Sequence, residues 1–174
     1  MKKTHVVIHH SLSPDGKAFD WGGIRKFHMS WRTPDGKVVS QEEGIQLQLH
    51  EQPVTAPWRD IGYHFGVELV GDHHEVLVGR WIDEDGAHCP ELRMNQVGIG
   101  VCVIGNYDEQ VPCSGAWGKA LGLVKRLIQE FDIPVENVLG HGEVQKLAGN
   151  SWQKTCPGKM FHMDKFRADL RASF

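Results

Sequence analysis

The stretch VGIGVCVIG, residues 97–105, is apolar apart from its glycines, and it decides the fold. A strand that is apolar on both faces has to be covered on both faces, which is typical of the centre of a sheet flanked by helices. Its glycines indicate that other parts of the chain pack closely against its backbone. They lie within the strand and do not open a helix after it, which excludes the glycine pattern of a dinucleotide-binding fold.

Three further strands are predicted around this central one. The run THVVIHH, residues 4–10, is apolar and β-branched, and it ends at the turn-forming segment SLSPDG. The segment DIGYHFGVELV, residues 60–70, alternates apolar with polar or small side chains, and EVLVGRW, residues 75–81, follows after the turn residues GDHH. We expect the last two strands to form a hairpin.

Helices are predicted between and after the strands. Asp20 is expected to cap a helix over residues 21–32, Ser114 a long amphipathic helix, and Asp164 a last helix. The order of these elements predicts an α/β fold. We expect a single domain over residues 1–174, with a central mixed β-sheet, helices packed on its faces and a site at one sheet edge.

The segment over residues 33–59 follows neither the helical nor the strand period. Turn residues and polar stretches alternate in it, and Pro34, Asp35 and Gly36 favour a hairpin. We interpret the segment as a surface insertion. Such insertions form cleft walls, lids or partner surfaces, or are simply tolerated at the surface, and the sequence does not choose among these.

Composition and charge narrow the function classes. The 174 residues with 40% hydrophobic content suffice for one core, and a formal net charge of -3 without a Lys/Arg-rich block argues against nucleic-acid binding. No window approaches the roughly 18 apolar residues of a membrane-spanning helix. The start MKKTHVVIHH lacks the apolar core of a signal peptide, so we expect a protein made in the cytoplasm. We also expect a monomer that binds neither nucleic acid nor membrane.

Three potential metal ligands stand where strands or helices give way to loops. His9 lies near the end of the first predicted strand, His141 lies in GHGEVQ, and Cys156 lies in KTCPGKMF. Two imidazoles and one thiolate suit zinc, and a three-ligand site keeps the fourth coordination position for water, as catalytic zinc sites do. His10 is expected to point to the other side of its strand, because strand side chains alternate.

The motifs VVIHHS, DIGYHF, GRWIDEDGAH, NQVGIGVCVIGNYDE, GHGEVQ and KTCPG follow one another along the chain. In this order they resemble the zinc-dependent N-acetylmuramoyl-L-alanine amidases of the phage lysozyme and peptidoglycan-recognition-protein type. The resemblance covers most of the chain, namely residues 4–32 and 60–161. It implies one zinc ion per chain, bound by His9, His141 and Cys156, and a peptidoglycan or muropeptide substrate.

The resemblance also implies roles for three other residues. Tyr63, in DIGYHF, and Lys154, two residues before Cys156, match catalytic positions, and His88, in GAH, matches a histidine that contacts substrate. Tyr63 would hydrogen-bond the attacking water or the tetrahedral intermediate, and Lys154 would stabilise the oxyanion. Recognition proteins of this type commonly have threonine at the lysine position. Without the resemblance, Tyr63 would be interpreted as a core aromatic and Lys154 as a solvated charge.

The sequence leaves two further roles open, that of Glu143 and that of the proton donor, and it predicts a structural role for Cys102. Glu143 is interpreted either as a carboxylate that supports a metal ligand or acts as a general base, or as an acid that stabilises a helix start. Cys102, inside the central strand, is expected to be a small buried hydrophobe. The proton for the leaving nitrogen could come from Tyr63 or from His88.

The predicted function is cleavage of the amide bond between N-acetylmuramic acid and the L-alanine of the stem peptide, most simply by a phage or prophage endolysin that reaches the cell wall at lysis. One alternative is a cytosolic amidase that recycles anhydro-muropeptides, although such enzymes carry Asp at the position of Cys156. The other is a non-catalytic peptidoglycan-binding or regulatory module, which has no need of Tyr63, Lys154 and a third ligand.

Overall fold

The computed structural model describes residues 1–13 and 20–174. Its strands are β1 (His5–His10), β2 (Trp31–Arg32), β3 (Val38–Val39), β4 (Phe65–Val70), β5 (His73–Val78), β6 (Gly98–Val103) and β7 (Val138–Gly140). Five of them form the main sheet, in the order β5-β4-β6-β1-β7. Strands β4, β6, β1 and β7 are parallel, and β5 is antiparallel to β4. The predicted mixed sheet, with VGIGVCVIG at its centre, is confirmed.

Helices cover both faces of this sheet. They are α1 (Trp21–His28), α2 (Gln41–Leu49), α3 (Met94–Val97), α4 (Ser114–Glu130), α5 (His141–Leu147) and α6 (Met163–Ala172), with 3₁₀ turns at Glu91–Arg93 and Val135–Asn137. In the described part of the chain, none of the helices is long and apolar enough to cross a membrane.

Strand β1 faces two different cores. Val6 and Ile8 belong to the larger core, which includes residues of α4 and α6. Val7, from the other face, packs with Val144 of α5. The ring of His10 stacks on Tyr107, also in the larger core, with centroids 6.2 Å apart. Alternation along β1 therefore separates His10 from the side of the sheet to which Val7 and His9 belong, as expected.

Several predicted helix boundaries are wrong. Helix α1 ends at His28 instead of residue 32, because the chain turns back and pairs as β2 with β3. The cap of α4 is Cys113, whose sulfur accepts the N–H of Ala116 at 3.5 Å, and Ser114 is the first helical residue. Asp164 lies in the first turn of α6 and does not cap it. The turn predicted over SLSPDG falls partly outside the described residues.

The segment 33–59, interpreted from the sequence as a surface insertion, is more regular than expected. The hairpin predicted near Gly36 is present as β2 and β3, but α2 follows it where no helix was expected. The ring of Trp31 covers Gly44 of α2 so closely that a Cβ there would lie 2.3 Å from it. The guanidinium of Arg32 lies 4.9 Å from the ring centroid of Trp58. The first contact joins β2 to α2 and the second joins β2 to Trp58 near the far end, so ring contacts hold this segment together.

Candidate metal centre and active site

His9, His141 and Cys156 come together at the carboxyl end of the parallel strands. One potential ligand atom from each lies within 4.8 Å of the other two. The Nδ1 of His9 is 3.6 Å from the Sγ of Cys156. A tetrahedral zinc ion, with bonds of about 2.05 Å to nitrogen and about 2.3 Å to sulfur, would place two such atoms about 3.6 Å apart. The spacing and the donor types therefore fit one zinc ion.

The local sequence explains why these three segments approach one another. Strand β7 pairs with β1 and ends at Gly140, so its next residue, His141, emerges beside His9. The N–H of Gly142 donates to the carbonyl of Cys156 at 2.8 Å, and a Cβ on Gly142 would lie 2.3 Å from the carbonyl oxygen of Lys154. Only glycine leaves room for this backbone contact, which brings Cys156 next to His141.

Burial sets the protonation of the three candidate ligands. It lowers the pKa of His9 well below its usual value, and the neighbouring His88, His141 and Lys154 add to the effect. Burial, followed by Lys154, also lowers the pKa of His141. Burial raises the pKa of Cys156 to about 12, against the opposing effect of the backbone N–H of His10. The imidazoles are thus in the neutral form that binds metal, and a cation that replaces the thiol proton would complete the set.

His88 lies behind His9 and contacts it directly. Its Nδ1 is 3.1 Å from the Nε2 of His9, and the two rings meet edge to face. His88 is 7% exposed, and its ring packs over Gly100 of β6, where a Cβ would lie 2.5 Å from it. The nitrogen of His9 that faces away from Cys156 is therefore held in place. The contact of His88 with substrate stays a prediction.

Tyr63 lies on the other side of His9, with ring centroids 5.1 Å apart. Its hydroxyl lies beside the thiol of Cys102, and each group affects the pKa of the other. Burial, followed by the effects of Cys102 and Cys156, raises the pKa of Tyr63 well above its usual value, so the hydroxyl keeps its proton. Cys102 is fully buried, as expected, and it also lies beside a candidate catalytic side chain.

Lys154 approaches the same site from the loop before Cys156. Its backbone N–H donates to the Oε1 of Gln145 at 2.7 Å, and its exposed side chain borders the same cleft as His9 and Tyr63. After burial, its charge contributes to the lowered pKa of His141. The ammonium group is therefore close enough to influence the candidate metal centre.

An open cleft of about 580 Å³ lies over these residues. Its lining includes His28 and Trp58 on the side of the surface insertion, and Trp152 on the side of the Cys156 loop. Trp152 is 70% exposed, which is unusual for so large an apolar ring. The cleft is large enough for part of a glycopeptide and holds the candidate ligands at its base.

Known proteins resemble this chain over most of its length. Residues 1–159 match the family of N-acetylmuramoyl-L-alanine amidases. The chain belongs to this family. The family resemblance predicted from the six motifs is confirmed, and the matched residues include His9, His141 and Cys156.

Relatives of this amidase-family chain include recognition proteins. It is 26% identical over 155 residues to peptidoglycan-recognition protein LB of Drosophila melanogaster, an alignment that covers 88% of this chain and 54% of that protein. The chain thus spans about half the length of the curated relatives it matches.

Two solved structures show the same fold. N-acetylmuramoyl-L-alanine amidase LysC from Clostridium intestinale superposes with a TM-score of 0.64 at 20% identity, over 98% of this chain and 87% of that one. A mutant of Drosophila PGRP-LB in complex with tracheal cytotoxin superposes with a TM-score of 0.61 at 22% identity, over 94% and 80% of the two chains. The α/β fold expected from the sequence is confirmed.

Glu143 of this amidase-family chain stabilises the N-terminus of α5. Its carboxylate accepts the N–H of Gly140 at 2.8 Å, and both of its oxygens accept from the guanidinium of Arg167 at 2.9 Å. These contacts occupy both oxygens, so the structure supports the helix-start interpretation over the general base. Sequence reasoning gave no role to two side chains next to the candidate centre: Gln145, the last residue of GHGEVQ, and Glu91, which lies outside the six motifs.

Proposed function

We propose that this chain is a zinc-dependent hydrolase that cleaves the amide bond between N-acetylmuramic acid and the L-alanine of the stem peptide in peptidoglycan. The observation that carries the proposal is the convergence of His9, His141 and Cys156 at ligand spacing beneath the cleft of an amidase-family chain. Three such ligands leave a coordination position for water, which is typical of catalytic zinc sites, whereas structural sites are closed by a fourth side chain.

The residues around the centre suit amide hydrolysis. When bound, zinc activates water at neutral pH and polarises a carbonyl group. The protonated hydroxyl of Tyr63 can donate a hydrogen bond to the oxyanion that develops on the scissile carbonyl, and the charge of Lys154 can stabilise it. His88 keeps the ring of His9 in one orientation.

The biological setting is part of the proposal. We propose that the protein is a phage or prophage endolysin. It would act as a monomer, be made in the cytoplasm and reach the cell wall at lysis. Support comes from Lys154, which matches the phage enzymes, and from Cys156, where recycling amidases have Asp.

A recognition module is the competing function, because the curated relatives are named as peptidoglycan-recognition proteins. Such a module needs the cleft, including the exposed Trp152, but it does not need a hydrolytic set. It would bind a muropeptide and release it unchanged.

Mass spectrometry of purified peptidoglycan after incubation with the zinc-loaded protein tests the proposal. We expect muramic acid with a free lactyl carboxylate together with peptides that begin with a new N-terminal alanine. The variant Cys156→Ser is the matched control and should leave the wall intact. Bound but uncleaved muropeptides would support a recognition module, and cleavage of anhydro-muropeptides alone would indicate a recycling enzyme.

A further inference from the structure

A buried polar network lies behind His141, on the side away from the cleft. The carboxylate of Glu91 places Oε2 3.5 Å from the Nε2 of His141. Within residues 1–13 and 20–174, this buried nitrogen has no hydrogen-bond partner of ordinary length. The carboxylate is therefore an acceptor to which this Nε2–H can donate, and Nδ1 is the nitrogen of His141 left for a metal ion.

Gln145 joins this carboxylate to the loop that carries the third ligand. Its Nε2 donates to Glu91 Oε1 at 2.7 Å, and its Oε1 accepts the backbone N–H of Lys154 at 2.7 Å. Gln145 is 5% exposed. A buried amide that is satisfied at both ends has one orientation, so this side chain sets the distance between Glu91 and the segment that ends in Cys156.

The segment that carries Glu91 also carries His88, the partner of His9. Asn95 Oδ1 accepts the backbone N–H groups of both His88 and Cys89 at 2.8 Å. The Sγ of Cys89 in turn donates to Glu91 Oε2 at 3.4 Å. One short, clamped segment therefore stands behind both histidine ligands, touching the nitrogen of each ring that faces away from the candidate metal centre.

We propose that Glu91 and Gln145 are positioning residues for the metal centre. Glu91 accepts the Nε2–H of His141 and so keeps Nδ1 free for the ion. Gln145 holds the loop that carries Cys156 at a fixed distance from Glu91. The proposal rests on the zinc-dependent function proposed above. A cation at Nδ1 makes the Nε2–H a stronger donor, so the contact with the carboxylate strengthens when the site is loaded. The carboxylate oxygens of Glu91 also accept hydrogen bonds from Gln145 and Cys89.

The same atoms admit a second interpretation, which the test has to separate. Potential ligand atoms of Cys89, Glu91 and His141 also lie within 4.8 Å of one another. A second ion at these residues would require His141 to bind one metal through each nitrogen. The positioning role needs no such bridge, and it predicts one ion per chain.

Zinc affinity and stoichiometry of the full chain, measured by competition with a chromogenic chelator, test the proposal. Glu91→Gln keeps the size of the side chain and removes its charge, and Gln145→Glu keeps an acceptor for Lys154 while it repels Glu91. We expect both variants to bind zinc about 10- to 100-fold more weakly than the unmodified protein. Glu136→Gln, which removes an exposed carboxylate paired with Arg171 at 2.7 Å, is the matched control and should bind normally.

The absorption spectrum of the cobalt-substituted protein reports on the ligands around the metal, and a change in stability alone does not alter it. We expect the thiolate and ligand-field bands to change in Glu91→Gln and to be unchanged in Glu136→Gln. Unaltered zinc affinity and spectrum in both network variants would overturn the positioning role, and so would two zinc ions per unmodified chain. If the unmodified chain binds no zinc, the proposed function itself fails, which is a distinct result.

Discussion

The floor and the wall of the cleft are built in different ways. The floor consists of the three candidate ligands together with Tyr63 and His88, and the wall is the segment 31–58. Floor side chains extend from or beside buried parallel strands, and His9 is held by a second side chain, that of His88. The wall contains two-residue strands and a helix, α2, whose one buried residue is Gly44.

This difference separates the residues that we expect to take part in the reaction from those that shape the cleft. At the floor, orientation is determined by several contacts at once, so a conservative substitution there should change reactivity and leave the fold in place. The wall depends on a few ring contacts, such as Trp31 over Gly44 and Arg32 beside Trp58. Substitution there should move a surface of the cleft and leave the reacting groups unchanged.

The largest effect is expected at the candidate sulfur ligand, Cys156. Cys156→Ser removes the thiolate, so zinc content should fall well below one ion per chain and turnover should be lost. Metal analysis and release of soluble wall fragments measure the two quantities. Cys113→Ser is the matched control, because Cys113 is exposed and serine also caps helices well. Full activity of Cys156→Ser, or of chelated protein, would show that the floor works without the metal.

A smaller effect is expected at the donors beside the metal centre. Tyr63→Phe and Lys154→Thr should each lower kcat by about 10²- to 10³-fold, since each removes one group that stabilises the oxyanion. Zinc affinity should stay normal, because neither side chain is a proposed ligand. Steady-state kinetics on soluble muropeptides, with zinc titration of each variant, separate the two effects. If Lys154→Thr retains full activity while Tyr63→Phe has none, the role assigned to the lysine is wrong.

The floor was more predictable from sequence than the wall for a physical reason. Strands β1 and β6 are marked by long apolar runs, and the ligands follow such runs or lie in glycine-bearing motifs where backbones have to approach. Helix α2 lacks an apolar stripe, so no period in the sequence marks it. Strand β7 has three residues, too few for an alternation to be seen.

The network behind the ligands could not be predicted for a different reason. Glu91 and Gln145 are 54 positions apart in the chain and come together only after folding. Cys102 matches the apolar pattern of β6 perfectly well, so nothing in the sequence distinguishes a plain core thiol from one that contacts Tyr63. Contacts of this kind join residues that are far apart in the sequence, and only the three-dimensional structure reveals them.

Cys102 links the floor to the core and should show an intermediate effect. Cys102→Ala leaves a small cavity at a fully buried position and removes the sulfur beside the Tyr63 hydroxyl, so we expect the free energy of unfolding to fall by about 1–3 kcal/mol. The fall in kcat should be smaller than in Tyr63→Phe, because the hydroxyl itself remains. Urea denaturation and kinetics test the two statements. Unchanged stability and activity would mean that the contact between Tyr63 and Cys102 does not matter in solution.

The smallest effect on chemistry is expected in the wall. In Gly44→Ala the new methyl group would meet the ring of Trp31, so either the ring or α2 has to move. We expect a loss of about 1–3 kcal/mol in unfolding free energy, typical of an overpacked contact. KM for wall fragments should rise while kcat and zinc affinity stay close to normal.

Gly122→Ala in α4 is the matched control, because a Cβ there meets nothing within 4 Å. It should stabilise the protein by about 0.5–1 kcal/mol, since alanine favours a helix more than glycine does. A fall in kcat of Gly44→Ala as large as that in Tyr63→Phe would show that the wall helps to orient the reacting groups, and the division between floor and wall would then not hold.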